Sequence, residues 1–389
     1  MNNRNLTARF FIILLLALMI LPESLLAIPA FARRHKVSCT TCHTAFPRLK
    51  DYGDEFAGNG FIMKEDENPR NYVRSGDELL WLNKDFPLAA RMEAFANYDG
   101  AKSVESDLQA PWGIKLLSGG TLYHNVGYYF YFYMSERGEV AGVEDAYIHF
   151  DNVGGSELDV MVGQFQTSDP LMKRELRLTY EDYEIYKTRI GLSNNNLAYD
   201  RGVMLVYGFP ELGTDLVGMI VNGNGKPEAV DRRMDQDNAK NLGFRIAQGL
   251  GDNLSLGAFY YMGSEESSGE QNKITYYGPD LGLSAGPLDI TAQLLYRLDS
   301  NPNFGAADTD EETTGIIVEA VYGPQLDMSR WYLTALYNLV DSSVDAADYQ
   351  TATLSYTYQM ARNLRLLTEY TYQVEAEQHR FIFGVISAF

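Results

Sequence analysis

The 389-residue sequence is nearly empty of thiols: it has two cysteines, Cys39 and Cys42. A multi-disulfide framework is therefore excluded as its source of stability. Two residues between the thiols would make any bridge between them a strained, redox-type one rather than a staple. Basic residues are scarce as well, 32 against 52 acidic, for a net charge of −20, which argues against nucleic acid as a partner. Long apolar runs are absent beyond the N-terminus: no later stretch offers 18 consecutive apolar residues, so no second helical span is expected.

The N-terminus is built like a secretion signal. Arg4 and Arg9 give a positive start, Phe10 to Leu21 ("FFIILLLALMIL") an apolar centre, and Ala30-Phe31-Ala32 small residues suited to cleavage. The apolar run is shorter than the roughly 20 residues of a spanning helix, so cleavage is expected rather than anchoring, with a mature start near Phe31 or Arg33. Removing residues 1–32 takes away Arg4, Arg9 and Glu23 and leaves 30 basic and 51 acidic residues, net −21. Such a balance suits a protein that handles cations or faces a charged exterior.

From Phe86 onward, segments of about ten residues alternate in polarity. In "LAARMEAFANY" Leu88, Ala90, Met92, Ala94, Ala96 and Tyr98 share one parity and Arg91, Glu93, Phe95 and Asn97 the other. In "NLRLLTEYTYQV" Leu364, Leu366, Tyr370 and Tyr372 oppose Arg365, Glu369, Thr371 and Gln373. Sixteen such segments begin near residues 88, 110, 125, 142, 156, 197, 214, 240, 254, 272, 288, 315, 330, 349, 363 and 378. Those near 110 and 272 are interrupted by glycines. Connections alternate between short turns and longer, acidic loops. Together with 27 tyrosines and 19 phenylalanines clustered near segment ends, the pattern predicts an all-β transmembrane barrel of about 16 antiparallel strands over 86–389, in a bacterial outer membrane. Closure follows from the lipid, which tolerates no unpaired sheet edge. An even strand count places residues 33–85 on the short-turn, periplasmic side or in the lumen.

Both cysteines belong to "SCTTCH", Ser38 to His43. Cys-x-x-Cys-His is the attachment motif of c-type haem: the thiols bind the porphyrin as thioethers and the histidine ligates iron. A thioredoxin-like pair would want a βαβ unit, and a tetrahedral zinc site four ligands; residues 33–85 supply neither. One covalent haem c is thus expected, held by Cys39, Cys42 and His43 in a small α-helical domain. Phe46, Leu49, Tyr52, Phe56, Phe61 and Ile62 would pack on it, with Pro47 at a helix start and a turn at Gly58 to Phe61. For the sixth iron position Met63 is the first choice and His35 the alternative; His124, His149 and His379 are expected as lumen or rim residues. Two further stretches have two readings each. Pro170 to Arg189 is dense in both charges and either folds into the lumen or forms a solvated loop helix. Asp308, Asp310, Glu311 and Glu312 form either a solvated loop or a lure for ferrous ions.

Phe31 to Phe61 ("FARRHKVSCTTCHTAFPRLKDYGDEFAGNGF") resembles the N-terminal monohaem region of the outer-membrane cytochrome–porin fusions, through its F-A-R start, C-x-x-C-H, following F-P and Asn-Gly-aromatic run. The resemblance implies an electron conduit between an extracellular donor, Fe(II) first among them, and a periplasmic soluble cytochrome, and with it Fe(II):cytochrome oxidoreductase activity. Reverse flow to an extracellular acceptor such as Fe(III), or a cation-selective diffusion porin carrying a tethered periplasmic cytochrome, are the other two expectations. The haem expectation is checked by peroxidase staining after denaturing electrophoresis: the full-length band stains, and Cys39→Ser/Cys42→Ser abolishes the stain.

Overall fold

A computed structural model describes residues 30–63, 72–73, 76–77, 79–84, 86–168, 170–305 and 310–389. The expected signal segment through residue 29 and Asp308 lie outside the described residues. Sixteen strands form one closed antiparallel barrel. They are β1 (Leu88–Asp99), β2 (Ser106–Tyr123), β3 (Val126–Glu136), β4 (Gly142–Phe150), β5 (Leu158–Phe165), β6 (Asp200–Phe209), β7 (Thr214–Val221) and β8 (Asn241–Leu250). The second half comprises β9 (Leu254–Ser267), β10 (Glu270–Ala285), β11 (Leu288–Asp299), β12 (Glu311–Tyr322), β13 (Trp331–Ser342), β14 (Tyr349–Ala361), β15 (Leu364–Gln373) and β16 (Gln378–Ala388). The seam is β16 on β1, in register from Arg380 opposite Asp99 to Ala388 opposite Arg91.

Period-two polarity turns into two faces. In β14, Thr351, Thr353, Ser355, Thr357 and Gln359 point inward and are buried, while Ala352, Leu354, Tyr356 and Tyr358 point outward and are exposed. Such an outward face is stable only against hydrocarbon. Rings gather near the strand ends: Tyr322, Trp331 and Tyr356 lie in series, tilted to one another, near one rim, and Tyr98, Phe381 and Tyr370 near the other. The glycine-interrupted segments are full strands nonetheless. β2 absorbs its irregularity through register shifts against β1 and β3, near Glu93/Phe95 and Ile114/Lys115, as bulges do.

Short turns, among them 124–125, 251–253, 286–287 and 362–363, lie on the rim where β1 begins and β16 ends. The longest connections, 166–199 and 222–240, leave from the opposite rim. Residues 30–63 lie in the lumen near the short-turn rim and contain two helices, α1 (Ala30–His35) and α2 (Asp51–Gly58). The expected boundary at residue 32 falls inside α1, and Ala30 and Ala32 are buried in the packed segment. Pro47 does not start a helix. Residues 43–50 instead turn back on themselves, with Thr44 N–H donating to Arg48 O at 3.1 Å and Lys50 N–H to Cys42 O at 3.0 Å; α2 begins only at Asp51.

Leu354→Arg, near the middle of the outward face of β14, is expected to cost about 2–4 kcal/mol, measured by reversible urea unfolding in lipid vesicles.

Candidate functional site

Cys39 to Thr41 form one tight turn, capped where Thr40 N–H donates to Ser38 Oγ at 3.3 Å. The turn continues as His43 N–H donates to Cys39 O at 2.9 Å. Both thiols are free and partly buried, and burial pushes both up from the usual thiol range. His43 Nδ1 lies 2.8 Å from Pro47 O, with the Phe46 ring 4.7 Å away. A donor hydrogen on Nδ1 leaves Nε2 with its lone pair, the tautomer a metal-ligating histidine needs. Burial also pushes His43 below the usual imidazole range, against the opposing pull of the Pro47 and Arg48 carbonyls, and so favours the neutral form. At Gly53 on α2 a Cβ would run into the Cys42 carbonyl, so glycine lets the helix press on the motif.

The three motif residues line one cavity of about 260 Å3. Its apolar wall is aromatic. Phe31 stacks on Phe61 at 5.0 Å and meets Phe56 edge-on at 5.3 Å. Phe61 stacks on Tyr129 of β3 at 4.9 Å, and Tyr129 lies 5.6 Å from Tyr147 of β4. Phe46, Leu49 and Leu117 complete the wall. Two free thiols, an imidazole whose Nε2 is spare, and aromatic walls are the donor set and surroundings a c-type porphyrin requires; these residues fit that group.

Polar contacts tie the segment to the barrel's inward face. Arg48 donates to Glu319 Oε2 at 2.9 Å and to Thr291 Oγ1 at 2.8 Å. Arg365 donates to Phe46 O at 2.7 Å and Tyr332 to Thr44 O at 3.2 Å. Lys50 pairs with Asp327 at 3.0 Å. Gly60 sits against Gly127 and the His149 ring, where any side chain at Gly127 would strike it.

Residues 166–168 and 170–199 turn into the lumen and roof the segment, which decides between the two readings of Pro170 to Arg189. Glu369 accepts the backbone N–H groups of Tyr180 and Glu181 at 2.7 and 3.0 Å. Asn338 donates to Asp182 O at 2.9 Å, Tyr183 to Glu319 Oε1 at 2.9 Å, and Arg297 to Thr188 O at 2.9 Å. Lys173 reaches Asp54 of α2 at 3.0 Å, and Leu178 packs with Ala45, Val321 and Tyr332. Burial raises Glu175, but Lys115 and Arg177 overcome it and hold the carboxyl at about 2.

Met63 ends the described stretch and, like His35, does not line the cavity; His35 instead packs edge-on against Phe56 at 5.6 Å. His124 lies in the β2–β3 turn against Trp81, His149 is buried on the inward face, 3.9 Å from Asp159, and His379 bonds Tyr370 at 2.8 Å. All three are lumen or rim residues, as expected. Among the described residues no group of three or more His, Cys, Asp or Glu is placed to hold a metal ion. Sequence reasoning missed Tyr129, Tyr131 and Tyr147 as cavity walls. The signal was present in "VGYYFYFYMSE", where Tyr129, Tyr131 and Tyr133 share the inward parity.

No protein-family model matches the chain, and no curated protein matches it by sequence. Solved structures do resemble it. An anion-selective porin from Comamonas acidovorans aligns with TM-score 0.59 at 12% identity, over 78% of this chain and 99% of that one. A loop-deletion mutant of OmpT, an outer membrane protein of Vibrio cholerae, gives 0.56 at 14%, over 78% and 99%. Salmonella typhi OmpF in complex with daunomycin gives 0.54 at 12%, over 78% and 97%. These likenesses show the fold: a sixteen-strand, porin-like β-barrel.

Glu319 holds both lumen segments at once, Arg48 on one oxygen and Tyr183 on the other. Its side chain is 5% exposed, and removing one member of a buried pair costs about 3 kcal/mol or more. Glu319→Ala is expected to leave the barrel assembled and to raise single-channel conductance well above the parent's in planar bilayers.

Proposed function

We propose that the chain is an outer-membrane electron conduit with one covalently attached haem c. The observation that carries this reading is the convergence of Cys39, Cys42 and His43 on an aromatic cavity within the lumen, beneath a second in-turned segment. Cys39 and Cys42 would each add across a porphyrin vinyl group, sulfur to one carbon and hydrogen to the other. His43 Nε2 would ligate the iron, with Nδ1 held by Pro47. When bound, the haem supplies a one-electron couple. The protein's part is to hold that couple inside the membrane's thickness, since about 30 Å of hydrocarbon would otherwise separate the donor from the carrier. Phe31, Phe56, Phe61 and Tyr129 exclude water from the cavity wall. Fe(II) outside would lose one electron to become Fe(III), and a periplasmic soluble cytochrome would accept it; the reverse direction uses the same residues. Neither Met63 nor His35 lines the cavity, which leaves the sixth iron position unassigned.

The second reading is a cation-selective diffusion pore with the haem segment as a tethered electron carrier. The likeness to porins favours it, and the net charge of −20 suits passage of cations. Against it stand the contacts that hold residues 30–63 and 166–199 inside the lumen. The two readings part in sealed vesicles loaded with an electron acceptor and supplied with external Fe(II). Under the conduit reading the acceptor is reduced at a rate that Cys39→Ser/Cys42→Ser lowers at least tenfold, without a rise in conductance. A large, steady ionic conductance in the haem-stained parent would favour the pore.

A further inference from the structure

The cavity also has a charged lining. Arg91 of β1 and Gln166, Lys173 and Glu175 of the in-turned segment line it as well. Behind them runs a ladder of buried ion pairs: Arg91–Glu93 at 2.5 Å, Lys115–Glu93 at 3.6 Å and Lys115–Glu175 at 3.4 Å. Arg174–Asp182 at 2.5 Å and Arg177–Asp182 at 3.9 Å continue it, and Arg365 adjoins it. Counting charges, Arg91, Lys115, Arg174, Arg177 and Arg365 face Glu93, Glu175 and Asp182. Two cations are left over, or one when Asp145, which lines the cavity from β4, is included; Lys173 is balanced by Asp54. The Nε atoms of Arg91, Arg177 and Arg365 are buried with no hydrogen-bond partner, and so is Oε1 of Gln166, a residue only 1% exposed. A buried surplus of cations with unused donors is costly unless an anion completes it. The Gln166 amide can be turned over to offer its NH2 to the same anion.

We infer that this charged lining is a carboxylate seat, in which Arg91, Lys173 and Gln166 receive the two propionates of the porphyrin whose vinyl groups Cys39 and Cys42 would take. The inference rests on the conduit reading and deepens it. An amphipathic disc with two carboxylates on one edge matches a cavity in which Arg91, Lys173 and the Gln166 amide join an aromatic lining. Lys173 and Gln166 belong to the in-turned segment, so the seat joins that segment to the residue 30–63 segment through the bound group.

The test uses full-length protein, with barrel assembly verified by heat-modifiable migration and attachment by peroxidase stain. In Arg91→Gln and Lys173→Gln the stain persists, because the thioethers are untouched. The propionate-bending bands of the resonance Raman spectrum shift, and the reduction potential falls, since a neighbouring cation disfavours the more positive ferric state. Lys173→Arg returns both to parent values, an outcome that separates a charge-specific role from general loosening. Lys173→Gln and Gln166→Leu lie outside the barrel wall and carry the same readouts if Arg91→Gln does not assemble. A fully stained parent whose bands and potential are unmoved in these variants overturns the carboxylate seat and leaves the conduit reading standing. A parent that takes no stain overturns both.

Discussion

Hydrocarbon accepts no hydrogen bonds, and the whole architecture answers to that constraint. Every strand must find a partner on each side, so the sheet closes on itself, β16 against β1. Closure at sixteen strands leaves an interior too wide for inward side chains to fill. Porins leave such an interior to water. Here residues 30–63 and 166–199 enter it, and the inward parity of the strands supplies polar groups that bind backbone and side chains of both. Glu319 shows the economy of the arrangement, because one carboxylate serves Arg48 and Tyr183 together.

The lumen filling and the motif chemistry support one another. About thirty residues with two short helices cannot bury enough apolar surface to fold alone. The barrel provides part of the wall: Tyr129, Tyr147 and Leu117 line the cavity with Phe31, Phe56 and Phe61, and Phe61 stacks directly on Tyr129. The in-turned segment provides the roof and the charges. The Cys39–His43 turn is thereby held between a rigid cylinder and a second segment that is itself pinned at Glu369, Asn338 and Arg297. Under the proposed haem reading, preorganisation of this kind would let the surroundings set the potential.

Much of this was legible in the sequence because each strand carries its own polarity record. Strand starts anticipated at 88, 142, 214, 254, 288, 349 and 378 coincide with those observed, while those at 110 and 315 fall four residues late, where Pro111 and the charged Glu311 and Glu312 mask the alternation. The motif residues were legible because Cys-x-x-Cys-His is a local spacing. What escaped was long-range. Nothing local tells whether Pro170 to Arg189 turns inward, since its charges suit water as well as buried partners 100 or more residues away, such as Arg297 and Glu369. Likewise Pro47 reads locally as a helix start, whereas the turn is set by backbone bonds from Thr44 to Arg48 and from Lys50 to Cys42, with His43 Nδ1 on the Pro47 carbonyl. Met63, placed near a turn in the sequence, does not line the cavity.

The seam has a kinetic meaning. Fifteen of the sixteen strand pairings join neighbours in the chain, but β16 and β1 bring together Arg380 and Asp99, and Ala388 and Arg91. Contacts of such separation are the slowest to form, because the loop entropy is lost before any pairing compensates it. The ring therefore shuts last. Until then the lumen is a trough open along one side, through which residues 30–63, which precede β1 in the chain, can settle beside β3 and β4 without threading a finished pore. The order of chain closure, rather than any later rearrangement, sets when the interior can still be furnished.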